Sequence, residues 1–307
     1  MSTPTQTVAF AVTDTHAHLR VDAFLAMQLP WRSRRTLTAL LAEGAVEVNG
    51  HPVTKKARRL NPGDVVALRV PVSPDADVDL GAIPLTILYE DDELVLVDKP
   101  GDLAVHPAST CQHRNLLRRL EHHYTHEQPD PTVEPSVLHR LDRTTSGVVA
   151  FAKRRALIAS YTAQFAARTT EKDYIAIVHG RMQGEHRIEH PIHTPPQRPV
   201  HVGPGGKPSR TDVRVLESTS VASRLTIALH TGRKHQIRVH LAAEGHPLVY
   251  DEIYGAPHGD DWPADARPLL HAARLRLDHR DGRRLSVESP VPAELERAWS
   301  ALSSSAR

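Results

Sequence analysis

The apolar positions of this chain change period from segment to segment, and the changes mark out its elements. In LRVDAFLAMQL (19–29) and RSRRTLTALLAEG (32–44) they recur at helical spacing, with Ser33 placed to cap the second helix and Gly44 to end it. VEVNGHPV (46–53) switches to two short strand-like pieces joined at Asn49-Gly50, a tight-hairpin signal, and VVALRV (65–70) follows the Pro62-Gly63-Asp64 turn as a further strand. The next stretch, PVSPDADVDLGAIP (71–84), is acidic and rich in Pro and Asp, and reads as a linker.

Beyond the linker, LTILYEDDELVLVDKP (85–100) predicts two β-rich runs around an acidic turn, and GVVAFAK (147–153) predicts a strand. RRALIASYTAQFAAR (154–168) predicts a helix with one apolar face. DYIAIVHG, TDVRVLESTS, SRLTIALH and ARLRLDH alternate as strands, while HQIRVHLAAEG reads as a helix ending at Gly245. This order favours an α+β fold with a mixed, largely antiparallel sheet and flanking helices over a doubly wound nucleotide fold. The expected division is a tail over 1–18, a small α/β unit over 19–72, a linker over 73–82 and a catalytic domain over 83–300.

Composition adds limits. With 307 residues, 40% hydrophobic and 24% charged, the chain has enough apolar material for a real core and is not disordered throughout. No run approaches the roughly 18 apolar residues of a membrane span, and the N-terminus lacks the pattern of a secretory signal, so a cytoplasmic protein is expected; it is expected to be a monomer. A single cysteine, Cys111, permits no internal disulfide. The net charge of +2 is uninformative, but its distribution is not. Residues 20–70 hold nine Lys/Arg against four Asp/Glu, whereas residues 71–100 hold eight acids against Lys99 alone. Among 21 histidines, His186, His190 and His193 have helical spacing for a metal site, yet Pro191 and the alternation around Ile188 and Ile192 predict extended chain. No metal is expected, and no GxGxxG or GxxxxGK[ST] cradle points to a nucleotide cofactor.

Three segments carry candidate chemistry. HRLDRTTSG (139–147) places Asp142 between Arg140 and Arg143 before a turn, either a surface ion pair or a carboxylate presented at the mouth of a sheet and kept ionised by its neighbours. GRKHQIRVHL (232–241) gathers Arg233, Lys234, His235, Arg238 and His240. On a helix Lys234 and Arg238 share one face, Ile237 and Leu241 another. A buried Arg238 needs an anion, for which Asp142 is the obvious candidate; the alternative is a basic face touching phosphate or water. In EKDYIAIVHG (171–180), Tyr174 beside Lys172 suits a base stacked next to its phosphate, or else fills the core.

Together these segments resemble the RluA-type family of pseudouridine synthases. HRLDRxTSG, KxYxAxVxG (Lys172, Tyr174, Ala176, Val178, Gly180) and GRxHQIRxHL occur in family order, followed by GHPLVYDEIYG; ILYEDDELVLVDKPGDLAVHP and HAARLRL are similar to the opening and closing strands. Matching stretches run from about residue 85 to 277. One departure is Tyr250, where the family more often carries glycine. The resemblance implies that Asp142 is the essential carboxylate, that Tyr174 packs against the target uracil, that Arg238 pairs with Asp142, that Ile237 forms apolar wall, and that Arg140 enters the gap left by the extracted nucleotide. Residues 19–70 are similar to an S-four-type RNA-binding domain, which implies RNA contacts from Arg34, Arg35, Lys55 and Lys56.

Uridine isomerisation breaks N1–C1′, turns the base and joins C5 to the same carbon, so it needs no redox group, donor or metal. Flipping the base from its stack costs a few kcal/mol, which a stacking Tyr174 and an inserted Arg140 would offset. The implied partner is RNA, ribosomal in preference to transfer RNA. The competing readings are a transfer RNA enzyme, an RNA-binding protein of the same fold without activity, and a glycosidase, which would want a second carboxylate near the motif.

Overall fold

A computed structural model describes residues 5–29, 34–71, 75, 77–108, 111–195, 198–255, 262–263 and 266–304. The chain forms two units, one of residues 1–79 with 106–115 and one of 80–105 with 116–307.

In the first unit, β1 (Thr5–Ala11), α1 (Val21–Gln28), α2 (Arg34–Ala42), β2 (Val46–Val48), β3 (His51–Pro52) and β4 (Val65–Pro71) build a sheet of order β1-β4-β2-β3. The helices and the Asn49-Gly50 hairpin lie where periodicity puts them, with both turn residues at positive φ (54° and 77°). Phe24, Leu25, Leu37, Leu41, Val48 and Leu68 close the core from both layers. The segment expected to be a tail is different. Residues 5–11 pair along the whole of β4, from Thr5 with Pro71 to Ala11 with Val65. TQTVAFA alternates, but without a turn signal beside it this short strand looks like unstructured chain. Residues 106–115 join this unit through Asp75, whose carboxylate accepts the backbone N–H groups of Gln112, His113 and Arg114 at 3.3, 2.9 and 2.6 Å. The Ser33 cap falls outside the described residues.

The second unit begins with β5 (Thr86–Glu90), β6 (Leu94–Lys99), α3 (Leu116–His122), β7 (Ser136–Val137), β8 (Ser146–Ala152), α4 (Ile158–Ala167) and β9 (Glu171–His179). There follow β10 (Glu185–Ile188), β11 (Ile192–His193), β12 (His201–Val202), β13 (Thr211–Ser218), β14 (Ala222–Leu229), α5 (Gln236–Ala243), β15 (Leu270–Asp278), β16 (Arg284–Glu288) and α6 (Ala293–Ser304). Its main sheet runs β10-β13-β14-β9-β15-β8-β6-β5, with β16 beside β15 and β7 beside β8. β15 and β8 pair in parallel and the other described pairs are antiparallel. The fold is therefore α+β with a mixed, largely antiparallel sheet.

Two clusters sandwich this sheet. Leu96, Val148, Ala150 and Leu275 pack with Tyr161 of α4, and Ile177 and Ala222 pack with Leu295 and Trp299 of α6. The stretch holding His186, His190 and His193 is extended, its ends in β10 and β11. Tyr250 has φ +63°, a left-handed backbone that costs a side chain about 1–2 kcal/mol. Its ring packs against the α6 cluster and edge-on to Trp262, centroids 5.1 Å apart, which offsets the strain.

Candidate active site

The loop that ends in β8 presents Asp142, and it is fixed from below by two buried cations. Leu141 is buried and Asp142 half-buried, and the Asp142 carbonyl accepts the Thr145 N–H at 3.0 Å to close the turn. Lys99, at the end of β6 and 0% exposed, donates to the carbonyls of Pro100, Leu103 and Arg143 at 2.8, 2.8 and 3.0 Å. Burial pushes its pKa down to about 7, opposed in part by Asp142. Arg267 donates to the Thr144 carbonyl at 2.8 Å and the Ser146 hydroxyl at 3.0 Å, and pairs with Glu294 at 2.5 Å. A Cβ on Gly147, whose φ is +112°, would stand 2.2 Å from the Ala272 carbonyl oxygen, so only glycine lets β8 run against β15 here.

Across from this loop, β9 sends Lys172, Tyr174, Ala176 and Val178 to one face. Tyr174 is 6% exposed, and burial followed by the charge of Asp142 raises its hydroxyl pKa. α5 supplies the third wall. Its buried Gln236 donates to the Arg210 carbonyl and the Thr211 hydroxyl, both at 3.0 Å, and accepts from the Thr231 hydroxyl at 2.7 Å. His240, 0% exposed, lies 3.0 Å from the Thr211 hydroxyl and 2.9 Å from the His190 carbonyl. With those two side chains tying the helix to β13, Ile237 and Arg238 are held facing the loop. The result is a cavity of about 390 Å³ lined by Arg140, Asp142, Tyr174, His235, Ile237 and Arg238 among others.

The ion pairs differ from those the sequence suggests. Arg238 forks onto Asp251, Nε to Oδ2 and Nη2 to Oδ1, both at 2.7 Å, with its guanidinium carbon 5.2 Å from the centre of the Tyr254 ring. Asp142 acts on Arg238 only through space, adding to the rise that Asp251 causes against the effect of burial. Asp251 wins because it is itself fully buried two turns of chain beyond α5 and needs a cation. Arg143 pairs with Asp102 at 3.2 Å, leaving the exposed Arg140 to point into the cavity. Lys234 precedes α5 instead of sharing a face with Arg238, because the chain turns at His235, φ +53°. That turn brings His235 Nε2 to 3.9 Å from Asp142 Oδ1 while Nδ1 bonds the Tyr254 hydroxyl at 2.8 Å. Burial lowers the His235 pKa and Asp142 works against that shift.

Sequence reasoning thus missed Lys99, Arg267, Asp251 and Tyr254, and it named His235 without its approach to Asp142. Asp251 stood in the GHPLVYDEIYG segment, and a buried Arg238 was the signal that some carboxylate had to face it. In the first unit Lys55 and Lys56 are exposed, and Lys55 lines a shallow surface hollow with Arg58. Arg34 and Arg35 open α2, but their side chains lie outside the described residues.

Residues 93–243 match the RNA pseudouridylate synthase family and residues 19–66 match the S4 domain. The ribosomal large subunit pseudouridine synthase D of Nitrosomonas europaea is 36% identical over 300 residues, covering 94% of this chain and 86% of that one. The protein of the same name from Escherichia coli is 32% identical over 297 residues, covering 92% and 90%. The chain belongs to the RNA pseudouridine synthase family. The solved structure of human RNA Pseudouridylate Synthase Domain Containing 1 is also similar, with a TM-score of 0.56 and 28% identity, covering 71% of this chain and 94% of that one. As a pseudouridine synthase the protein is an isomerase acting on uridine in RNA. Among the described residues no helix is long and apolar enough to cross a membrane.

The same loop gives the synthase a pH limit. His139 stacks on Phe165, rings 22° apart, and its Nε2 accepts the Ala150 N–H at 3.1 Å, which requires that nitrogen to be unprotonated. Burial, then Lys172, pushes its pKa from 6.5 down to about 3. Between those values the unfolded chain binds the proton and the fold does not, so stability falls as pH drops from about 6.5 towards about 3. His179, His240 and His271 are lowered by burial too and add the same sign. The urea midpoint is expected to drop between about pH 7 and about pH 5, and His139→Gln is expected to flatten that drop. An equal drop in the variant would remove His139 from the account.

Proposed function

We propose that the protein converts one or more uridines of large-subunit ribosomal RNA to pseudouridine, with Asp142 as the essential carboxylate. The observation that carries this reading is a single cavity lined by Asp142, Tyr174 and Arg238. In it Tyr174 packs against the flipped uracil, Ile237 supplies apolar wall, and Arg140 enters the gap left in the RNA. Arg238, held by Asp251, sets positive charge beside Asp142 without contacting it. Arg34, Arg35, Lys55 and Lys56 hold RNA farther from the reaction. The ribosomal substrate is supported by the names of the bacterial relatives, and it suits a cytoplasmic monomer.

The reaction is balanced without a co-reactant. The N1–C1′ bond breaks, C5 bonds to C1′, the C5 proton leaves and N1 gains a proton. That lost proton supplies the test. Unmodified large-subunit ribosomal RNA carrying tritium at uridine C5 is expected to release it to water when incubated with the protein, and transfer RNA is not. Release from transfer RNA alone would reassign the substrate, and release from neither would refute the reading.

A further inference from the structure

Next to the cavity that holds Asp142 lies a second one of about 350 Å³. The two share Arg140, Tyr174, Leu229, Gly232 and Arg233 as a common wall. Arg168, Lys172 and His230 line the far side, and no carboxylate lines it. Several other cations on or beside this sheet do have carboxylate partners. Arg274 pairs with Asp173 at 2.6 Å, Arg284 with Glu171 at 2.9 Å, Arg210 with Asp212 at 2.5 Å, and Arg276 also with Glu171. Glu171 and Asp173 flank Lys172 in sequence, but strand alternation points them to the other face. Among the described residues Arg140, Arg168 and Lys172 have no carboxylate partner within 4.0 Å. Arg233 donates to the Pro208 carbonyl at 3.2 Å, and His230 lies 3.0 Å from Asp212.

We propose that this second cavity binds the phosphodiester group adjoining the target uridine. The inference rests on the synthase reading, since it is the base held against Tyr174 that brings the backbone to this place. Lys172 precedes Tyr174 by one strand period on the same face, so one strand addresses base and backbone together. Arg168 stands at the end of α4 with a left-handed backbone, φ +62°, its N–H bonded back to Gln164 and Phe165, which fixes where its side chain departs. Burial and the like charge of Arg168 both lower the Lys172 pKa, and an anion between the two would relieve that repulsion. Charge-assisted bonds from forked guanidinium and ammonium groups are the usual means of holding a phosphate.

Lys172→Met and Arg168→Gln are each expected to weaken binding of an unmodified ribosomal RNA fragment about tenfold. Each should also reduce the slope of log affinity against log salt by about 0.7, the value for one phosphate of a single strand, and Lys172→Arg should restore both. Phosphate ethylation interference on the same fragment supplies the position. One linkage beside a uridine should be required by the wild type and no longer required by Lys172→Met. Unchanged slopes overturn the proposal, and so does a reduced slope with an unchanged interference pattern, which would make the cavity part of a general field. Both are binding measurements. A wild type that binds but releases no tritium would defeat the synthase reading and leave the phosphate result standing.

Discussion

Asp142→Asn is expected to bind RNA with wild-type affinity and to release tritium from uridine C5 at least about four orders of magnitude more slowly, the scale on which loss of an essential catalytic side chain is felt. The substitution keeps size and shape, and among the described residues the carboxylate makes no hydrogen bond that holds the loop: the turn is closed by the Asp142 carbonyl, and the backbone below it is held by Lys99 and Arg267. The fold should therefore survive. What is lost is the negative charge. Attack on C1′ needs a carboxylate as nucleophile, and removal of a sugar proton needs it as base, and an amide does neither. On the proposed reading, binding is set elsewhere, by the exposed lysines of the first unit and the cations around the two cavities. A variant that still turned over within about a hundredfold of wild type would be catalysing by positioning alone, and Asp142 would lose its assignment. Reduced turnover accompanied by an equal loss of affinity would place Asp142 in RNA binding instead.

How legible this site is in the sequence depends on the distance over which each contact acts. Asp142, Tyr174 and Arg238 lie in segments whose residue types already suggest chemistry, and their segments have local periods that place them on a loop, a strand and a helix. The fold class follows from the same periods. Partners do not. Asp251 and Arg238 are 13 positions apart and meet only because Gln236 and His240 dock α5 on β13. Lys99 and Arg143 are 44 apart, and Arg267 and Thr144 are 123 apart. Nothing within either segment announces such a contact. β1 was hidden for a related reason: an edge strand of seven residues has no turn to mark it, and its partner β4 lies beyond both helices. His235 was visible as a residue type, but its approach to Asp142 depends on a left-handed backbone, φ +53°, which is uncommon for any residue other than glycine and which no local turn signal marks.

Asp251→Asn is expected to cost about 3–5 kcal/mol of stability, the usual penalty for removing one partner of a buried ion pair. Arg238 is 4% exposed, so its charge is largely shut off from solvent. The same carboxylate also accepts the N–H groups of Ile253 and Tyr254 at 3.1 and 3.2 Å, so part of the loss falls on the turn beyond it. The double variant Arg238→Met with Asp251→Leu separates the two contributions. It leaves no buried charge, and replacing a buried pair by apolar groups of similar volume is often neutral, so it should recover a large part of the stability lost by Asp251→Asn. Its activity should not recover. With Arg238 gone, the guanidinium that α5 holds beside Asp142 is lost and that wall of the cavity turns apolar, which leaves His235 at 3.9 Å and the exposed Arg140 in the same cavity. Denaturant unfolding and tritium release on the three proteins decide the matter. If the double variant is as unstable as the single one, the backbone bonds of Asp251 matter more than its charge. If it regains turnover along with stability, then Arg238 is scaffold, and the positive charge beside Asp142 comes from the other cations of the cavity, Arg140 among them.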